Sequence, residues 1–189
     1  DDHLVGRLGY GIPGRLAAML GEWVHSRGQI SVLDLGCGTG LFGMEIAHAK
    51  SRLVGVDLSR QMVERAKARG VYDELHAASI EAYFSNHVGM FDLVVATDVL
   101  VYVGALETLF EQVRAHLNPG GRFAFSTESP ATLNEGFQLM SSGRYAHSPA
   151  YVRTLAASRG LEVVAQEPAV IRTEANAPID GFVFVLAVH

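Results

Sequence analysis

Cysteine is nearly absent from the 189-residue chain, where Cys37 stands alone. A single thiol excludes an internal disulfide and a radical-type iron–sulfur cluster; it fits a cytoplasmic protein without requiring one. No apolar run reaches the length that spans a bilayer, and no signal-peptide pattern opens the chain, so a membrane partner is not expected. A basic surplus is also missing. The formal charge is −5, which argues against bulk nucleic-acid binding, because that binding rests on counterion release by a basic surface. The one basic cluster, Arg60, Arg65, Lys67 and Arg69, has Glu64 inside it and reads as a solvated helix face. The eight histidines show no paired ligand spacing, which argues against a metal site. Internal repeats and low-complexity tracts are not seen. The first residue is Asp1 and not methionine, so the chain is expected to begin inside a longer product.

What is present is an ordinary globular composition, 49% hydrophobic and 19% charged, of a length suited to one domain with a sizeable core. Two kinds of segment alternate. "GIPGRLAAMLGEWVHSR" reads as a helix with Leu16, Met19, Leu20, Trp23 and Val24 on one face. "QISVLDL" is a short, continuously apolar strand of the type buried on both faces of a parallel sheet. A helix "LFGMEIAHAK" and a strand "RLVGVDL" follow, then "SRQMVERAKARG", a helix capped by Ser59 and closed by Gly70. "VYDELHAAS" carries a weaker strand and "MFDLVVATD" a strong one. "LETLFEQVRAHLNPGG" reads as a helix stopped by Pro119, and "RFAFSTE" as a strand. Residues 129–147 form a long connection with room for one short helix. Ser148 then caps a helix with Pro149 at its first position, and two strand candidates, "LEVVAQEPAVIR" and "GFVFVLAVH", close the chain and should pair antiparallel.

Repeated strand–helix units predict a mostly parallel sheet with helices on both faces and a C-terminal antiparallel hairpin strand. In such sheets ligands sit at the carboxyl ends of the strands, near the switch in strand order. That rim carries "DLGCGTG". Gly36, Gly38 and Gly40 let a ligand approach the backbone, and the loop opens a helix whose N–H groups favour an anionic group. Asp57 lies 21 residues after Gly36 at the tip of the next strand, where a carboxylate accepts hydrogen bonds from both ribose hydroxyls. The dinucleotide fingerprint G-x-G-x-x-G fails, because Leu41 stands where its last glycine belongs. Asp34, two residues before Gly36, would repel a pyrophosphate and suits an ammonium. S-adenosylmethionine meets these demands, with a ribose, an amino group and no phosphate.

"VLDLGCGTG", "LVGVDLS", "FDLVVATDVLVYV" and "LNPGGRFAFST", in this order and spacing over roughly residues 30 to 128, resemble the class I S-adenosylmethionine-dependent methyltransferases. The head "HLVGRLGYGIP" and tail "GRYAHSPAYVRTLAASRGLEV" look more narrowly like bacterial predicted methyltransferases whose domain follows tetratricopeptide repeats, which implies an upstream repeat domain in the full-length product. The resemblance implies an α/β, Rossmann-like doubly wound sheet. It also implies roles: Gly36, Cys37 and Gly38 line the methionine moiety, Asp34 anchors its amino group directly or through water, and Asp57 holds the ribose. Leu58 and Met62 pack the adenine with Ser79 and Ile80 opposite, and Thr97 and Asp98 close the pocket near the sulfonium. Many relatives carry an acidic residue after the third strand for the adenine amino group; here "HAASI" leaves that contact to Ser79 or a backbone carbonyl.

The chain is therefore expected to be one methyltransferase domain, residues 1–189. It divides into an N-terminal helical segment (1–29), a cofactor-binding core (30–128), a connection or lid (129–147) and a C-terminal helix and hairpin (148–189). An already activated methyl donor makes positioning of the acceptor the main task, so no catalytic residue is obligatory. Candidates are Asp98, Tyr102 one helical turn on, and His147 as general base, with Tyr145, Tyr10 and Glu128 near the acceptor. No Asn-Pro-Pro-Tyr or Asp-Pro-Pro-Tyr signature of nucleobase amino methylation occurs, nor a proline-preceded cysteine for base-carbon methylation. Cys37 reads as a packed residue. The expected acceptor is a small molecule. A protein methyltransferase, a noncatalytic subunit of the same fold and a nicotinamide-dependent enzyme are the alternatives.

Overall fold

In a computed structural model, residues 11–188 are described, and Tyr10 lies outside them. The first helix, α1 (Ile12–Arg27), holds Pro13 in its first turn, where a missing N–H costs nothing. The chain then alternates through β1 (Ile30–Leu35), α2 (Leu41–Ile46), β2 (Lys50–Asp57), α3 (Arg60–Lys67), β3 (Glu74–Ala77), α4 (Ile80–Asn86) and β4 (Phe91–Ala96). A 3-10 turn (Leu100–Tyr102), α5 (Glu107–Ala115) and β5 (Leu117–Glu128) follow. The chain ends in β6 (Phe137–Leu139), β7 (Tyr145–His147), α6 (Pro149–Ser158), β8 (Leu161–Glu174) and β9 (Ala177–Val188).

Strands β3, β2, β1, β4 and β5 lie side by side and parallel; β9 pairs antiparallel with β5, and β8 antiparallel with β9. The expected sheet with its closing hairpin is therefore observed. Alternate strand residues feed two cores. Val32, Leu53, Leu93 and Val95 pack beneath α1 and α2 with Leu16, Leu20 and Phe42. Leu33, Val54, Val94, Phe123 and Phe125 face the other side with Tyr83, Phe110 and Phe184. Two buried faces are why these strands read as unbroken apolar runs. The strand order reverses between β1 and β4, which opens a crevice at their carboxyl ends.

Helix starts follow their caps: Ser59, Ser79 and Ser148 accept hydrogen bonds from the backbone N–H of Met62, Ala82 and Tyr151 at 3.4, 3.1 and 3.1 Å. Two local expectations are corrected. Residues 129–147 contain no helix; β6 and β7 form a hairpin turned at Gly143, whose φ of 78° suits glycine. The helix expected to run to Pro119 stops at Ala115, and Asn118–Gly121 already belong to β5. Pro119 sits where the β4–β5 register shifts, so its missing donor breaks no ladder bond. Among the described residues no helix is long and apolar enough to cross a membrane, and no cluster of ligating side chains could hold a metal ion.

Candidate functional site

A cavity of about 670 Å³ occupies the crevice. The glycine loop forms its floor. Gly36, Gly38 and Gly40 all have positive φ, 64°, 53° and 84°, but they do different work. A Cβ on Gly36 would lie 2.3 Å from Val99 Cγ2. On Gly38 it would meet nothing closer than the Gly36 carbonyl at 3.9 Å, so this backbone faces open cavity. Gly40 does not line the cavity; its missing Cβ makes room for the Tyr72 ring at 2.9 Å.

Asp57 stands at the tip of β2 against this floor. Its Oδ2 accepts from Gly38 N at 2.9 Å and its Oδ1 from Ser59 N at 2.8 Å. The carboxylate thus ties the loop to the start of α3, and Ser59 caps α3 beside it. Each carboxylate oxygen keeps a further lone pair for a hydroxyl donor. Beyond Asp57 the walls turn apolar. Leu58 is 78% exposed, an uncovered hydrophobe at a cavity mouth, with Met62 next to it and Ser79 and Ile80 lining the same space. Cys37 also lines the cavity, but its thiol is buried and pushed up by that burial and by the neighbouring Asp34 and Asp57 charges, which leaves it inert.

Asp34 departs from expectation. It is fully buried and absent from the cavity wall. Its Oδ2 accepts a 2.6 Å hydrogen bond from the Tyr72 hydroxyl, while Oδ1 has no partner among the described residues. Burial, opposed by the Tyr72 bond and helped by the Asp57 charge, pushes its carboxyl up to about 7. Direct contact with a ligand's amino group is thereby closed; the orphan oxygen beneath the loop could act only through water.

At the other end stand Thr97, Asp98, Val99, Tyr102 and Val103 from the segment after β4, joined by Arg172 from β8. Asp98 has φ of 55°, which aspartate tolerates better than most residues. Its N–H donates to the buried Ser126 Oγ at 2.9 Å. Arg172 is buried and donates from Nη1 to Asp98 Oδ1 at 2.8 Å, from Nε to Glu174 Oε1 at 2.7 Å, and from Nη2 to Glu128. Arg144 also pairs with Glu174. Burial raises the Asp98 carboxyl above its ordinary value against the opposing Arg172 and Arg144 charges.

Sequence reasoning missed Arg172 and Tyr72. Strict alternation along β8 would leave Arg172 outside, because Ile171 is already buried. The register shift between Val170 and Arg172 turns both inward. Tyr72 left a trace in Gly40, Gly43 and Gly55, each of which would place a Cβ within 2.9 Å of its ring. Three other expectations are corrected. His147 is fully buried, off the cavity, with Nε2–H donating to the Gly104 carbonyl at 2.8 Å. Burial lowers its pKa, so it is held neutral behind the wall. Glu128 is buried against Arg172 and does not line the cavity, and neither does Tyr145, which packs on Phe137.

These residues fit S-adenosylmethionine on the structure's own terms. Gly38 exposes backbone to the cavity, Asp57 keeps acceptor capacity, and Leu58 awaits an apolar ring. Arg172, the sole basic residue on the wall among those described, is spent on carboxylates, so a pyrophosphate would find no counter-charge.

Residues 33–123 match the family model described as "Methyltransferase domain". The chain is 34% identical over 128 residues to the malonyl-[acyl-carrier protein] O-methyltransferase of Legionella pneumophila, across 64% of this chain and 44% of that protein. It is 29% identical over 113 residues to the ubiquinone biosynthesis O-methyltransferase of Aromatoleum aromaticum, across 56% and 48%. The chain thus spans about half the length of the curated relatives it matches. Its fold matches the Burkholderia thailandensis 1,6-didemethyltoxoflavin-N1-methyltransferase, a structure with bound 1,6-didemethyltoxoflavin and S-adenosylhomocysteine. The TM-score is 0.73 at 18% identity, covering 95% of this chain and 79% of that one.

Proposed function

We propose that this chain is a class I S-adenosylmethionine-dependent methyltransferase domain that transfers a methyl group from S-adenosylmethionine to a small-molecule acceptor, a reading supported by its family match and its fold. The observation that carries this reading is the bond between Gly38 N and Asp57 Oδ2. It sets a bare backbone loop and a ribose-type carboxylate side by side in one cavity wall. When bound, S-adenosylmethionine supplies an electrophilic methyl group on a sulfonium.

The chain's own residues then hold and orient. Asp57 accepts from the ribose hydroxyls. Leu58 and Met62 cover one side of the adenine, Ser79 and Ile80 the other. Gly36, Cys37 and Gly38 run along the methionine portion, and Asp34 reaches its amino group through a water. Thr97 and Asp98 close the donor end toward the acceptor. Such positioning is worth several kcal/mol of barrier without any covalent intermediate on the protein. The narrower likeness to domains that follow tetratricopeptide repeats rests on the head and tail segments, and the sequence encoded upstream of Asp1 tests it.

Calorimetric titration with S-adenosylmethionine, S-adenosylhomocysteine and NAD⁺ tests the donor. The first two bind and NAD⁺ does not. Asp57→Ala, which deletes two bonds to a charged group worth about 1.5–3 kcal/mol each, weakens binding by well over tenfold, about a hundredfold or more. Unchanged affinity in that variant removes the ribose assignment, and tighter binding of NAD⁺ removes the donor.

A further inference from the structure

The wall opposite the glycine loop is a cluster of charges that no motif announces. Three carboxylates, Asp98, Glu128 and Glu174, face two guanidiniums, Arg172 and Arg144, and leave one formal negative charge. Each nitrogen of Arg172 already donates to a carboxylate. Of these five groups only Asp98 and Arg172 line the cavity. Asp98 Oδ1 is taken by Arg172, and its other oxygen has no hydrogen-bond partner among the described residues. Tyr102, 69% exposed, stands on the same wall. Asp98 keeps its left-handed φ of 55° because Ser126 holds its N–H and Arg172 its side chain, and strain of this kind persists where the surroundings enforce it.

We propose that this wall is an acceptor subsite for a small-molecule amine, with Asp98 receiving the proton that the nitrogen gives up and Arg172 acting as its positioning residue. The proposal rests on the methyltransferase reading of the cavity. An acceptor carboxylate would add a fourth negative group to two guanidiniums, and juxtaposed like charges cost several kcal/mol. An ammonium finds the free oxygen of Asp98 and the ring of Tyr102, the two partners that recognise such a cation. Transfer then balances simply. The nitrogen loses a proton to Asp98, and its lone pair forms the new N–C bond. The methyl C–S bond breaks, and its electron pair stays on sulfur as the neutral thioether. Burial of Asp98, which raises its proton affinity, suits that step.

Three probes of one size test the subsite: benzylamine, benzyl alcohol and benzoate, titrated by ligand-observed NMR at neutral pH into protein saturated with S-adenosylhomocysteine. Benzylamine binds at least about tenfold tighter than benzoate. That preference collapses in Asp98→Asn. Arg172→Met leaves the wall two negative charges, so benzoate stays disfavoured, but benzylamine binds several-fold more weakly than in the wild type because Asp98 loses its brace. S-adenosylhomocysteine affinity is measured alongside in each protein. If the wild type fails to bind S-adenosylhomocysteine, the methyltransferase reading falls. If it binds, but benzoate is preferred, the three probes are equal, none binds, or Asp98→Asn keeps the preference, the amine subsite falls alone.

Discussion

Asp34 makes the stability of this fold depend on pH in a direction unusual for an aspartate. Its carboxyl is fully buried, holds one 2.6 Å bond from Tyr72, leaves its second oxygen without a partner among the described residues, and is pushed up to about 7. In the unfolded chain the same group titrates near 3.9. Between those two values the folded state binds a proton that the unfolded state does not, so stability falls as pH rises. Below about pH 4 both states are protonated; above 7 both are ionised, and the folded state carries the whole penalty of a buried charge. A shift of roughly three pKa units corresponds to about 4 kcal/mol, an upper figure because buried sites relax. Asp34→Asn keeps the shape, lets the amide oxygen accept from Tyr72, and cannot ionise. Its own unpaired amide costs the same at every pH. The difference in unfolding free energy between variant and wild type should therefore move in the variant's favour by about 2–4 kcal/mol between pH 4.5 and 8. Urea unfolding followed by Trp23, the single tryptophan, measures it at half-unit steps. Parallel profiles for the two proteins across this range would refute the argument, because they would show Asp34 ionising as it does in water.

Other perturbations reach the rest of the framework. Gly43→Ala sets a Cβ 2.6 Å from the Tyr72 ring and should cost about 1–3 kcal/mol as overpacking. In a Tyr72→Ala background the same change should cost almost nothing, a non-additivity that a double-mutant cycle in urea reads directly. Gly181→Ala would drive a Cβ into the Thr127 carbonyl where β9 pairs with β5, so it should lower the unfolding free energy measured in urea by about 2 kcal/mol or more, with Gly160→Ala as a control of free space but strained φ. Leu58→Ala removes a side chain that is 78% exposed; unfolding should stay within about 0.5 kcal/mol of wild type, while calorimetry shows S-adenosylhomocysteine bound several-fold more weakly.

The parts of the molecule that were legible in the sequence are those governed by local physics. Serines 59 and 148 announce helices because an N-cap needs only its own side chain and a backbone N–H two or three residues on. The strands through Val32–Leu35 and Leu93–Ala96 announce a doubly covered sheet because, Asp34 apart, every residue on both of their faces is apolar and buried. Residues 129–147 resisted because a three-residue strand such as Phe137–Leu139 leaves too few positions for a period to show, and its partner, Tyr145–His147, is equally short. His147 was misplaced for a related reason. Its position before the Ser148 cap put it near the rim in sequence, but only the packing of Phe137 and Tyr151 around it decides that it lies behind the wall.

The glycine loop carries this distinction in miniature. Read along the chain, three alternating glycines look like one device for admitting a ligand. In space they answer to three different neighbours: Val99 at Gly36, open cavity at Gly38, and Tyr72 at Gly40. The ring that Gly40 admits is the one that bonds Asp34, and Gly43 and Gly55 clear space for it from α2 and β2. Only the middle glycine is spent wholly on exposing backbone to the cavity. The outer two make room for neighbouring side chains on either side of Gly38, whose N–H meets Asp57 at 2.9 Å. The Gly38–Asp57 pair spans 19 positions and joins two motifs that a linear reading can find. The charged wall is assembled from Asp98, Glu128 and the Arg172–Glu174 stretch that follows the register shift of β8, and its Asp98–Arg172 pair spans 74 positions. A contact of that span follows from sheet order and register and has no local signature, which is why the charged wall emerges only with the fold.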